Sequence, residues 1–134
     1  MYQAGTLSGN PLAVSAGVAT LTELQKPGGY DHIYRLADRL TDGIRAAFRD
    51  AEVPVAINRV GSMFTGSFNP GPVDSLAQGE QSDAARYGRY FHALLQRGVC
   101  IAPSQFEAGF VSTAHTEADI DATIERGKEA LAEL

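Results

Sequence analysis

Val53-Pro54-Val55-Ala56-Ile57-Asn58-Arg59-Val60-Gly61-Ser62-Met63-Phe64-Thr65-Gly66-Ser67-Phe68 is the stretch where this chain changes its period. Residues 53–60 are rich in β-branched side chains. Residues 62–68 alternate, with Phe64, Gly66 and Phe68 on one side. Such residues at a spacing of two fit a pleated strand. Gly61 breaks the run, so the stretch reads as one bent strand or as two. The sequence on either side has helical spacing. Residues 31–50 place Ile33, Leu36, Leu40, Ile44, Ala47 and Phe48 on one stripe, and Asp38, Arg39, Asp42, Arg45 and Arg49 on another. That pattern predicts a helix with one buried and one solvated face.

Working outward, residues 69–81 hold two Pro and two Gly among few apolar side chains and read as a loop. Residues 83–97 predict a helix with Ala84, Tyr87, Phe91 and Leu94 inward and Gly98 as its stop. Residues 99–102 read as a short strand, and residues 110–112 as another. Thr116-Glu117-Ala118-Asp119 resembles a capping box with Asp in the third place, opening a last helix along Ile120, Ile124, Leu131 and Leu134. Near the other end, Asn10 is a good helix cap and Pro11 suits a first turn. The helix that they open follows Leu12, Ala16, Ala19 and Leu24 until Pro27-Gly28-Gly29 stops it. It is less amphipathic than the others, as a helix packed against something outside this chain would be. Strands between helices favour the α+β class: a small, mostly antiparallel sheet covered by helices on one face.

At 134 residues, with 44% hydrophobic and 20% charged, the chain suits one folded domain. Eleven basic against 16 acidic residues give a net charge of -5. That balance argues against nucleic-acid binding through phosphate contacts and against a polybasic membrane anchor. No apolar run reaches membrane-spanning length, and the start is not a signal sequence. Cys100 is alone, so an intrachain disulfide is excluded and a cytoplasmic setting is expected. Flanked by Val99 and Ile101, it reads as an inert core thiol. His32, His92 and His115 lack ligand-spaced partners, so no metal is expected. Glycine-rich nucleotide fingerprints are missing too. The only lysines are Lys26 and Lys128, so any lysine chemistry must use one of them.

Two loops hold the candidate chemistry. Gly5-Thr6-Leu7-Ser8-Gly9-Asn10-Pro11 offers backbone amides and a Thr hydroxyl beside a helix start, which suits an anion such as phosphate; a helix-capping turn has the same composition. Ala102-Pro103-Ser104-Gln105-Phe106-Glu107-Ala108-Gly109 sets a carboxylate and two polar side chains in a connection between strands; a surface hairpin does so as well.

Read together, these stretches carry a resemblance. Tyr2-Gln3-Ala4-Gly5-Thr6-Leu7-Ser8-Gly9-Asn10-Pro11-Leu12-Ala13 resembles the stretch just after the cofactor lysine in the glutamate-1-semialdehyde 2,1-aminomutase family. That family belongs to the class-III aminotransferase group, pyridoxal-phosphate (PLP) enzymes of fold type I. Gly61-Ser62-Met63-Phe64-Thr65, the stretch from Arg97-Gly98-Val99 through Pro103-Ser104-Gln105-Phe106-Glu107-Ala108-Gly109-Phe110, and Ala114-His115-Thr116-Glu117 agree in order and spacing. Gly-Asn-Pro-Leu-Ala is shared widely in class III, whereas Pro-Ser-Gln-Phe-Glu-Ala-Gly-Phe is specific to the aminomutases.

The resemblance implies the C-terminal third of such an enzyme: residues 1–30 as cofactor-phosphate loop and linking helix, residues 31–134 as the C-terminal small domain. The Schiff-base lysine, the aspartate facing the pyridine nitrogen and the aromatic stacked on the ring lie upstream in the family and have no counterpart here. No catalytic residue is therefore assigned, and a chain inactive alone is expected. Gly5 and Thr6 match the pair that reaches across a homodimer to the partner's cofactor phosphate. Glu107 matches a glutamate near the substrate, thought to interact with an N-terminal arginine that this chain lacks. Ser104 and Gln105 either neighbour Glu107 in the substrate pocket or simply hold the turn. Residues 104–115 contain no Arg to hold a substrate carboxylate, which favours the aminomutase over an amino-acid:2-oxoacid aminotransferase. The intact enzyme makes 5-aminolevulinate for tetrapyrrole (porphyrin) synthesis, with the N-terminal and large domains as this segment's partners. The alternatives are a fragment of another class-III aminotransferase or racemase, and a non-catalytic dimerisation or interaction module.

Overall fold

The computed structural model describes residues 4–134; Met1, Tyr2 and Gln3 lie outside the described residues. The chain divides into two compact units, Met1–His32 and Ile33–Leu134. The first contains α1, Pro11–Leu24. Asn10 caps it as the sequence predicts: its side-chain oxygen accepts from the amides of Leu12 (2.9 Å) and Ala13 (3.3 Å). No α1 residue is buried, and Leu12 remains 80% exposed. The stripe expected along Leu12, Ala16, Ala19 and Leu24 therefore covers no core.

The second unit is built on an antiparallel sheet. β1 (Ala56–Val60) and β2 (Met63–Ser67) pair from Ala56↔Ser67 to Val60↔Met63, so the deciding stretch is two strands in a hairpin. Gly61, at φ 60°, opens the two-residue connection, where a hairpin turn needs a residue free of Cβ strain. β3 (Gly109–Phe110) pairs with Met63 and Phe64 on the far side of β2. A methyl group on Gly109 would come 2.6 Å from the Phe64 ring, so the glycine makes room for that ring.

Three long helices accompany the sheet: α2 (Gly29–Asp50), α4 (Ala84–Gln96) and α5 (Glu117–Leu131). α2 buries Ile33, Leu36, Leu40 and Phe48, while its charged residues stay exposed, as the spacing predicts. α4 buries Tyr87, Tyr90, Ala93 and Leu94; Ala84 is exposed and Phe91 only half-buried, so its inner stripe is turned relative to the expected one. The reason is an aromatic cluster. Phe48 lies 5.3 Å from Phe68 and 5.3 Å from Tyr90, and Phe68 lies 5.7 Å from Tyr90, at the tilted or edge-on angles that ring quadrupoles favour. α5 begins with the capping box: Asp119 N donates to the Thr116 hydroxyl, and Thr116 N to the Asp119 carboxylate at 2.8 Å.

Three expectations are corrected. Residues 69–81 are not all loop, because Ser75 caps a short α3 (Leu76–Gly79). Four residues are too few for helical periodicity to show. Residues 99–102 form no strand. Val99 N donates back to Leu94 O to close α4, and Ala102 O accepts the Tyr87 hydroxyl at 2.6 Å, so the segment's polar groups serve a helix end and a tyrosine. Cys100 is exposed rather than buried, because the extended chain turns Val99 inward and its neighbour outward.

Candidate functional site

The 102–109 loop turns sharply. Ser104 organises it: its hydroxyl accepts from Phe106 N (3.2 Å) and its carbonyl from Glu107 N (3.1 Å). Ser104 and Glu107 are thus brought together by one turn. Gln105 points inward and is buried, while Phe106 is 59% exposed and Glu107 is exposed. Beside this turn lies a cavity of about 260 Å³, lined by Tyr87, Tyr90 and Phe68 and reached by Glu107 and His115. Burial pushes the Tyr87 hydroxyl up from its ordinary pKa, and the nearby Glu107 charge adds to the shift. Burial raises Tyr90 as well. Both phenols therefore stay protonated at neutral pH, and Tyr87 serves as a donor to Ala102 O.

Also lining the cavity, His115 has its Nδ1 accepting from Ser112 N at 3.0 Å and lying 3.1 Å from the Ser112 hydroxyl. This contact closes the turn before α5. Asp119, just beyond, is held below the usual carboxylate range by the Thr116 hydroxyl and amide, with His115 a lesser influence. The sequence sets Gln105 beside Ser104 with nothing local to mark it as buried, and it gives Tyr87 only an inward place on a helix. The inward helical spacing of Tyr87 next to a polar loop was the available signal.

In the first unit, Gly5 and Thr6 are exposed. Ser8 N donates to Gly5 O (3.0 Å) and Asn10 N to Leu7 O (3.1 Å), making a turn ahead of α1. The amides of Thr6 and Leu7 donate to no group among the described residues. A methyl on Gly5 would come 2.5 Å from the Ser8 hydroxyl, a contact that rotation of that exposed side chain relieves. These two amides and the Thr6 hydroxyl fit a phosphate group. The lysines do not fit a cofactor aldehyde: Lys26 is paired with Glu23 and Lys128 with Glu125, each at 2.6 Å and well exposed to solvent. No cluster of His, Cys, Asp or Glu among the described residues is arranged for a metal, and no helix there is long and apolar enough to cross a membrane.

The sheet and its helices define the class first: they have the fold of the C-terminal domain of fold type I PLP transaminases. An omega-transaminase from Sphaerobacter thermophilus matches with a TM-score of 0.80 at 27% identity, over 98% of this chain and 30% of that one. A glutamate-1-semialdehyde aminomutase from Pseudomonas aeruginosa, crystallised in complex with PMP, matches with a TM-score of 0.85 at 25% identity, over 98% of this chain and 29% of that one. Sequence narrows the class. Over all 134 residues the chain is 50% identical to a glutamate-1-semialdehyde 2,1-aminomutase from Laribacter hongkongensis. The resemblance to that enzyme family thus runs the full length of the chain, although no family model matches it. The chain spans about a third of the length of the curated relatives it matches.

Proposed function

We propose that this chain is the C-terminal part of a glutamate-1-semialdehyde 2,1-aminomutase, contributing to a reaction that gives 5-aminolevulinate for tetrapyrrole synthesis. Identity of 50% along the whole chain carries the reading. In it, residues 1–30 form the phosphate loop and linking helix, and residues 31–134 the small domain. Gly5 and Thr6, with the amides of their turn, hold the cofactor phosphate of the partner subunit in a homodimer. PLP, when bound, supplies an electron sink for moving the amino group. Ser104 fixes the turn that aims Glu107, and Glu107 with Ser104 lines the substrate's side of the pocket. The protonated Tyr87 keeps water from the loop's inner carbonyl at Ala102.

The same reading makes the chain inactive alone. A lysine that reacts with an aldehyde at neutral pH needs a desolvated or cation-flanked amine. Both lysines here are solvated and paired with carboxylates. The test replaces the corresponding third of the Laribacter hongkongensis relative with this chain. Conversion of glutamate-1-semialdehyde to 5-aminolevulinate by the chimera, and none by the 134-residue chain, is the expected result. A folded, PLP-loaded chimera without turnover, or turnover by the chain alone, would overturn it.

A further inference from the structure

Gln105 is 7% exposed, yet its side-chain oxygen has no hydrogen-bond partner among the described residues. Its amide nitrogen donates to Ser82 O at 3.5 Å, the long end of such bonds. The amide's orientation is fixed by that neighbour, since turning it over would oppose two carbonyl oxygens. Ser82 is itself anchored on several sides: its amide donates to Gly79 O (3.0 Å), the next amide, of Asp83, donates to Phe68 O (3.0 Å), and its hydroxyl accepts from Asn69 Nδ2 (3.2 Å). Next to Gln105 in sequence, the edge of the Phe106 ring stands near Gly79: a methyl built on that glycine would be 3.7 Å from it. The turn bearing Ser104 and Glu107 thus rests on the 79–82 segment through one buried polar contact and one aromatic ring.

A buried acceptor without a partner is destabilising, and one long hydrogen bond offsets this only in part. An apolar side chain of equal volume would fill the site without that cost, so stability alone does not favour an amide there. We propose that Gln105 is a positioning residue: it locks the Ser104–Glu107 turn to Ser82 and so fixes where the Glu107 carboxylate stands. The proposal rests on the aminomutase reading for its consequence in catalysis, but not for its geometry.

The test begins with the 134-residue chain and Gln105→Met, which keeps length and volume. Amide hydrogen exchange at Phe106 and Glu107 is expected to quicken at least about tenfold, as their turn opens locally. The amides of Val99 and Asp119 keep their rates, and the melting temperature moves by less than about 3 °C. Unchanged exchange at Phe106 and Glu107 would overturn the proposal. If Gln105→Met unfolds, Gln105→Glu, which keeps the shape and loses the donor, takes its place; unfolding of both makes Gln105 a general stability residue and also overturns it. In the active chimera, Gln105→Met is expected to raise KM for glutamate-1-semialdehyde about fivefold with kcat within about twofold, the mark of lost binding geometry. An unchanged KM with a reduced kcat counts against it. An inactive parent chimera defeats the aminomutase reading, whereas the exchange result judges the anchoring by itself.

Discussion

Asp119 shows how one side chain links local geometry to solution behaviour. Its carboxylate accepts from the Thr116 amide and hydroxyl and is held below the ordinary range by both. A carboxyl group with a depressed folded pKa stabilises the fold above its unfolded value, about 3.9, and loses that contribution as pH falls through the folded value. Asp119→Asn keeps an acceptor but cannot ionise. The variant is therefore expected to unfold at lower urea than the parent at pH 7, with the gap shrinking as pH falls below about 3.9. A gap that stays constant below that pH would contradict the assignment. This box was legible in the sequence because it depends on four consecutive residues. Gln105 was not, because its burial depends on Ser82, 23 positions away.

At the scale of elements, one glycine inside α4 and one just beyond its end have opposite expectations. Gly98 ends the helix at φ 76°, and its amide donates to Leu95 O at 3.0 Å. A Cβ there meets nothing within 4 Å, so the cost of Gly98→Ala is backbone strain alone, about 1–2 kcal/mol. Gly88 lies inside α4, and a Cβ there also meets nothing within 4 Å. Gly88→Ala lowers the entropy of the unfolded chain and stabilises by about 0.4–1 kcal/mol. Thermal melts should therefore move in opposite directions, down for Gly98→Ala and up for Gly88→Ala. A shift of the same sign in both would refute the positional argument. Gly98 as a stop, the stripe of α2 and the break at Gly61 were readable because each follows from local spacing. The rotation of α4 toward Tyr90 was not, since it is set by rings on α2 and after β2. The missing strand at residues 99–102 has a similar origin: those residues have strand composition, but Tyr87 takes the Ala102 carbonyl.

For the whole molecule, burial is divided unevenly along the chain. Among the described residues every buried apolar side chain lies at or beyond Ile33, whereas α1, apolar in composition, buries none of its fourteen residues. Leu12, Val14, Val18 and Leu21 all remain more than half exposed. Hydrophobic stabilisation scales with apolar area removed from water, so α1 contributes little to the stability of this chain. Its low amphipathicity, visible in the sequence, already pointed that way, and the proposed aminomutase supplies a reason for such a helix, since about two thirds of each matched relative lies outside this segment. A chain trimmed to residues 29–134 keeps α2 whole and retains the entire core. It is expected to melt within about 2 °C of the full chain and to bind a dye for exposed apolar surface less strongly, because most of the uncovered leucines and valines are gone. A drop of 10 °C or more on trimming would mean that residues 1–28 stabilise the fold through something other than buried side chains.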